Sequence, residues 1–193
     1  AHAFFHDAHN QKILQELVHI GIHWPAIVAK NMDSNIKEQI KVNIFTALTR
    51  INDRSLKFKV AHTVSTICEN VYELEEQWGD LISFIINALQ LELAEQNILN
   101  IETGLFLLSN IFGYVYEEMT KGIDLYIAAF KNFFNSGITS LKTKTVEAIC
   151  EILCIVRKKD AKKFKELTYN ILETTLKCLQ DPNEENNVNF FLI

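Results

Sequence analysis

Helical apolar patterns come in pairs along this chain, and the pairs recur at an almost constant distance. Within residues 54–71 and 78–89, apolar side chains lie three and four positions apart, the pattern of helices with one buried face. Val64, Leu108 and Ile152 occupy equivalent positions, 44 residues apart at each step. This recurrence predicts a row of helical hairpins, because one hairpin cannot bury its apolar faces without its neighbours.

The repeat period sets the predicted fold class and domain organisation. A period a little over forty residues is typical of HEAT and armadillo solenoids, and longer than the about 34 residues of a tetratricopeptide repeat. We therefore predict an all-α chain, a right-handed α-α superhelix of antiparallel helix pairs. A single solenoid domain over 1–193 would hold repeats at 1–51, 52–92, 93–136 and 137–180 and a stub at 181–193. Turn-forming residues separate the helices at Asn52-Asp53, Asn135-Ser136-Gly137 and Asp181-Pro182.

The same spacing predicts which side chains are buried. Six apolar residues of the first helices should lie between the helix layers: Val64, Ile67, Leu108, Ile111, Ile152 and Ile155. The four cysteines, Cys68, Cys150, Cys154 and Cys178, form no Cys-x-x-Cys pair, and three of them fall in apolar helical stretches. This placement favours buried, reduced thiols over a disulfide framework.

Composition and termini exclude several functional classes. The net charge of −5 argues against a dedicated nucleic-acid binder, which needs a surplus of basic residues on one face. The sequence contains neither a signal peptide nor an uncharged apolar stretch of membrane-spanning length. We therefore expect a soluble intracellular protein without membrane insertion. Because the chain starts without Met and stops in an apolar run, we expect it to be a fragment.

Catalytic and metal-binding patterns are not supported. The sequence has no Gly-x-Ser-x-Gly, phosphate-binding loop or His-Glu-x-x-His motif, and no His or Asp stands at base spacing beside Cys150 and Cys154. His2, His6 and His9 could share one helix face and hold a transition metal. Metal sites normally draw ligands from more than one element, so an exposed terminus is the preferred interpretation. We predict no enzyme activity, no cofactor and no metal.

Two polar features are candidates for partner binding. The basic run at 157–165 could contact nucleic acid or an acidic protein, or form a solvated loop. The second helix of each pair lines the concave side of a curved solenoid, and its polar residues recur at steps of three and four. An ordinary solvated face would explain any one of them equally well. The predicted partner-binding residues are Gln39, Asn43, Arg50, Asp80, Ser83, Asn87, Asp124, Lys131, Asn135, Glu166 and Glu173.

Five segments give the chain a resemblance to a known family. They are residues 13–17 with the following His23-Trp24, then 37–42, 56–61, 77–78 and 104–110. In order and character they resemble the N-terminal half of a karyopherin-β, a nuclear transport receptor of the importin-4 or importin-5 type. Lys57 and Lys59 flank a position where that family commonly has Arg.

The resemblance implies a function as well as a fold. It implies an acidic concave surface that binds the Ran GTPase in its GTP form and protein cargo with basic signals, contact with nucleoporins, and residence in both cytoplasm and nucleus. A HEAT-repeat scaffold of another complex, such as a phosphatase regulatory subunit or a vesicle-coat adaptor, is the alternative. Composition does not separate the two.

Overall fold

The computed structural model describes residues 33–73 and 77–180, and in these ranges all regular secondary structure is helical. The described residues divide between Ile86 and Asn87 into two compact units. This architecture confirms the predicted all-α helical repeat fold. The helix predicted at 13–22, the stub at 181–193 and the histidines His2, His6 and His9 lie outside the described residues. The repeat boundaries, the single domain and the right-handed superhelix remain predictions.

The first unit is built on a helical hairpin whose turn is defined by an aspartate. Helix α1 (Ser34–Arg50) and helix α2 (Arg54–Glu73) pack against each other. The predicted turn at Asn52-Asp53 lies between them, and the Asp53 carboxylate accepts the backbone N–H of Leu56 at 2.8 Å. That bond satisfies one of the free N–H groups at the start of α2. Helix α3 (Gly79–Leu89) follows and runs across the boundary between the units.

The second unit repeats the pattern with two first helices and two second helices. Its long helices are α4 (Glu95–Ile111), α6 (Ile123–Phe134), α7 (Thr139–Ile155) and α9 (Lys165–Gln180). Two short helices, α5 (Tyr116–Met119) and α8 (Lys158–Ala161), each continue into a 3-10 turn, at Thr120–Gly122 and Lys162–Phe164. Between α6 and α7, Gly137 adopts a φ of 77°, a left-handed conformation that favours glycine.

Packing in the second unit follows the order of a solenoid. The first helices α4 and α7 lie against each other, and α7 also packs on α6. The second helix α6 contacts the turn that precedes α9, where the Phe130 and Phe164 rings stand 6.4 Å apart. Adjacent repeats therefore bury each other's apolar faces, as the period predicts.

The helix starts bear out the repeat period. First helices begin at Arg54, Glu95 and Thr139, steps of 41 and 44 residues. Second helices begin at Gly79, Ile123 and Lys165, steps of 44 and 42 residues.

Most of the predicted core is buried, with one error among the six residues. Val64, Ile67, Leu108, Ile111 and Ile152 have no exposed surface. Ile155 is 41% exposed, so its predicted burial is wrong. It is the last residue of α7 and stands 44 positions after Ile111. Ile111 lies on α4 and is covered by the first helix of the next repeat, α7. Ile155 lies on α7, which packs mainly on α4 and α6, and no further first helix follows α7 among the described residues.

The prediction of free rather than disulfide-bonded thiols holds for Cys68, Cys150 and Cys154, but the prediction of burial holds only for Cys68. Cys68 is fully buried in α2, and burial raises the pKa of its thiol to about 12. Cys150 and Cys154 are exposed, because α7 buries the opposite face through Leu141, Ile149 and Ile152. The side chain of Cys178 lies outside the described residues.

None of the described helices combines the length and the apolar character needed to cross a bilayer.

Candidate partner-binding surface

The predicted partner-binding residues lie on the surface of their helices. All are exposed except Lys131, which is half-buried. Those from Gln39 to Ser83 belong to the first unit and those from Asn87 to Glu173 to the second. Surface placement is what the helical spacing predicts, but it does not test binding.

Ion pairs join the second helices of the second unit. The Lys131 ammonium lies 3.0 Å from the Glu166 carboxylate, which connects α6 to α9. The Lys163 ammonium donates to both oxygens of Asp124 at 2.9 Å. Three of the predicted residues therefore share one surface. Exposed pairs of this kind stabilise a fold by only about 0–1 kcal/mol each.

Acidic residues recur at the start of the second helices. Asp80, Asp124 and Glu166 each stand in the first turn of their helix, α3, α6 and α9 respectively. A carboxylate at this position interacts favourably with the partial positive charge of the helix N-terminus, by about 0.3–1 kcal/mol. These three residues therefore have a structural role that needs no partner. A binding role would be additional to it.

The sequence prediction missed a cluster that joins the turns of adjacent repeats. The Tyr116 hydroxyl donates to the Asp160 carboxylate at 2.7 Å and accepts the backbone N–H of Arg157 at 3.2 Å. The Arg157 guanidinium lies over the Tyr116 ring, 4.9 Å from its centroid, and pairs with Glu117 at 2.7 Å. Desolvation and the hydrogen bond to Asp160 raise the pKa of Tyr116. The only sequence signal is the spacing: Tyr116 and Asp160 are 44 residues apart.

A buried lysine closes the first hairpin. Lys57 is 1% exposed, and its ammonium donates to the backbone carbonyl of Ile51 at 3.1 Å. That carbonyl follows the last turn of α1, where helix carbonyls have no partner within the helix. Burial lowers the pKa of Lys57, because desolvation disfavours the charged form. Lys57 lies beside the position where the resembled family has Arg, and its role here is to cap α1.

Metal binding has no support in the described ranges, where no three His, Cys, Asp or Glu residues come close enough to hold an ion. The arrangement is that of a helical repeat protein that offers a charged helix surface.

Comparison with known families identifies the repeat. The profile of a family described as IPO5-like, TPR repeats, matches residues 52–193. The chain therefore belongs to the IPO5-like repeat family, which confirms its resemblance to an importin-5-like karyopherin. The family comprises transport receptors rather than enzymes. Searches of curated proteins and of solved structures found no match.

The family description uses the term TPR, although the observed steps of 41 to 44 residues exceed the about 34 of a tetratricopeptide repeat.

Proposed function

We propose that this chain is part of a nuclear transport receptor that binds Ran in its GTP form and protein cargo with basic signals. The observation that carries the proposal is the family match over residues 52–193. The protein would act in cytoplasm and nucleus, import cargo and contact nucleoporins in transit. Its partner-binding residues would be the predicted set on the second helices, from Gln39 to Glu173.

Charge supports a basic partner for this surface. The predicted set contains four acidic residues, Asp80, Asp124, Glu166 and Glu173, against the two basic residues Arg50 and Lys131. Complementary charge accelerates encounter and disfavours acidic partners. Because Asp124 and Glu166 already pair with Lys163 and Lys131, a basic cargo would exchange one ion pair for another there. Such an exchange contributes specificity more than affinity.

A nucleotide-dependent pull-down tests the proposal. Ran loaded with a non-hydrolysable GTP analogue should be retained by the chain more strongly than Ran loaded with GDP. Equal retention would contradict a transport role and favour the scaffold alternative, since a phosphatase or coat scaffold should not distinguish Ran bound to GTP from Ran bound to GDP.

A charge reversal locates the surface. Asp80→Lys with Glu173→Lys should weaken a basic cargo and flatten the salt dependence of its association. Glu95→Lys with Glu151→Lys is the matched control, because it reverses two exposed carboxylates on the first helices α4 and α7. If the control abolished binding while the Asp80 and Glu173 variant kept its affinity and salt slope, the surface would be assigned to the wrong helices.

A further inference from the structure

The turn between α7 and α9 carries a local surplus of positive charge that the transport proposal does not use. Residues 157–165 contain six basic residues and one acidic residue, Asp160, in a chain whose net charge is −5. Such a cluster makes the electrostatic potential near this turn positive, which attracts anions although the protein as a whole is acidic.

Two of these basic residues are neutralised inside the second unit. Arg157 pairs with Glu117 at 2.7 Å, and Lys163 pairs with Asp124 at 2.9 Å. The Asp160 carboxylate accepts the Tyr116 hydroxyl. These contacts hold the turn against the corresponding turn of the preceding repeat, and they occupy the carboxylates of Glu117 and Asp124.

Three further lysines of the same turn are exposed. They are Lys158, Lys159 and Lys162, and none of them pairs with a carboxylate among the described residues. Lys158 and Lys159 are adjacent in α8, and Lys162, in the 3-10 turn that continues it, follows them by four and three positions. Lys162 therefore neighbours both other lysines along this turn, where like charges repel.

We propose that Lys158, Lys159 and Lys162 form a docking surface for an acidic peptide segment of a partner protein. The surface is separate from the predicted second-helix residues and selects the opposite charge. Its backbone is held by the Tyr116, Arg157 and Lys163 contacts, so little ordering would be needed when a peptide binds.

The size of the surface favours a peptide over nucleic acid. A nucleic-acid binder neutralises many phosphates along a stripe, because duplex DNA carries one negative charge per about 1.7 Å. Here the three lysines occupy one helical turn, and the acidic remainder of the chain opposes a long polyanion. A short run of Asp or Glu side chains needs only this one turn.

Fluorescence anisotropy tests the proposal with a labelled oligoglutamate peptide and a labelled oligothymidylate of equal charge. The test variant changes Lys158, Lys159 and Lys162 to Gln, and a second variant changes them to Arg. A matched control changes Lys37, Lys59 and Lys142 to Gln, which removes the same charge from α1, α2 and α7.

The peptide should bind the unaltered chain, and the Gln variant should weaken it about tenfold, as expected when three exposed ion pairs are lost together. The Arg variant should retain binding, and the control should stay within about twofold, since screening limits distant charges. Absence of peptide binding, or an equal loss in the control, would overturn the proposal. Tighter binding of the oligothymidylate than of the peptide would do so too, because it would assign the lysines to nucleic acid.

Discussion

Replacing Leu108 with Ala tests the packing between repeats most directly. Leu108 has no exposed surface and belongs to α4, which packs against α7 of the next repeat. The change removes about three methylene equivalents, a loss of about 2.4 kcal/mol at about 0.8 kcal/mol each. The cavity left behind adds to this loss, because a packed interior relaxes only in part. The free energy of unfolding should fall by about 2–5 kcal/mol.

The matched control is Asn87→Ala, which alters an exposed side chain of the same compact unit and should cost less than about 0.5 kcal/mol. Urea unfolding followed by far-UV circular dichroism measures both variants, since this signal reports on helices throughout the chain. Tryptophan fluorescence would not serve, because the described part of the second unit, residues 87–180, contains no tryptophan. Equal urea midpoints for the two variants would show that the buried and exposed helix faces are wrongly assigned.

Two further predictions concern polar contacts. Tyr116→Phe removes the hydroxyl that donates to Asp160 and should lower the free energy of unfolding by about 1 kcal/mol in urea, whereas Tyr169→Phe, at a ring 63% exposed, should change it little. Equal changes in the free energy of unfolding for the two variants would show that the Tyr116 hydroxyl does not stabilise the fold. Burial lowers the pKa of Lys57, so the unfolded chain binds more protons at this residue than the folded chain does. The contribution of Lys57 to the free energy of unfolding therefore rises with pH, up to the ordinary lysine pKa of 10.5. Relative to Lys57→Met, the unaltered chain should therefore gain stability between neutral pH and pH 10.5, as paired urea midpoints would show; a constant difference would contradict it.

The helices and most of the core could be predicted from the sequence. Helical periodicity is a local property, since side chains three and four positions apart share a face whatever the rest of the chain does. That spacing predicts Val64, Leu108 and Ile152 in the core, and all three are fully buried. The surface position of the predicted partner-binding residues followed from the same rule. Their binding role stays a prediction, because exposure is common to every polar helix face.

Tertiary structure decided which apolar faces are covered and which charges meet. Ile155, Cys150 and Cys154 lie on a helix rich in apolar residues, but they are exposed because the neighbouring helices cover the face that carries Leu141, Ile149 and Ile152. The hydrogen bond of Tyr116 with Asp160 and the ion pair of Asp124 with Lys163 join residues 44 and 39 positions apart. Nothing local to either residue selects its partner. The stacking of one repeat on the next brings these groups within hydrogen-bonding distance, so the contacts exist only in the assembled fold.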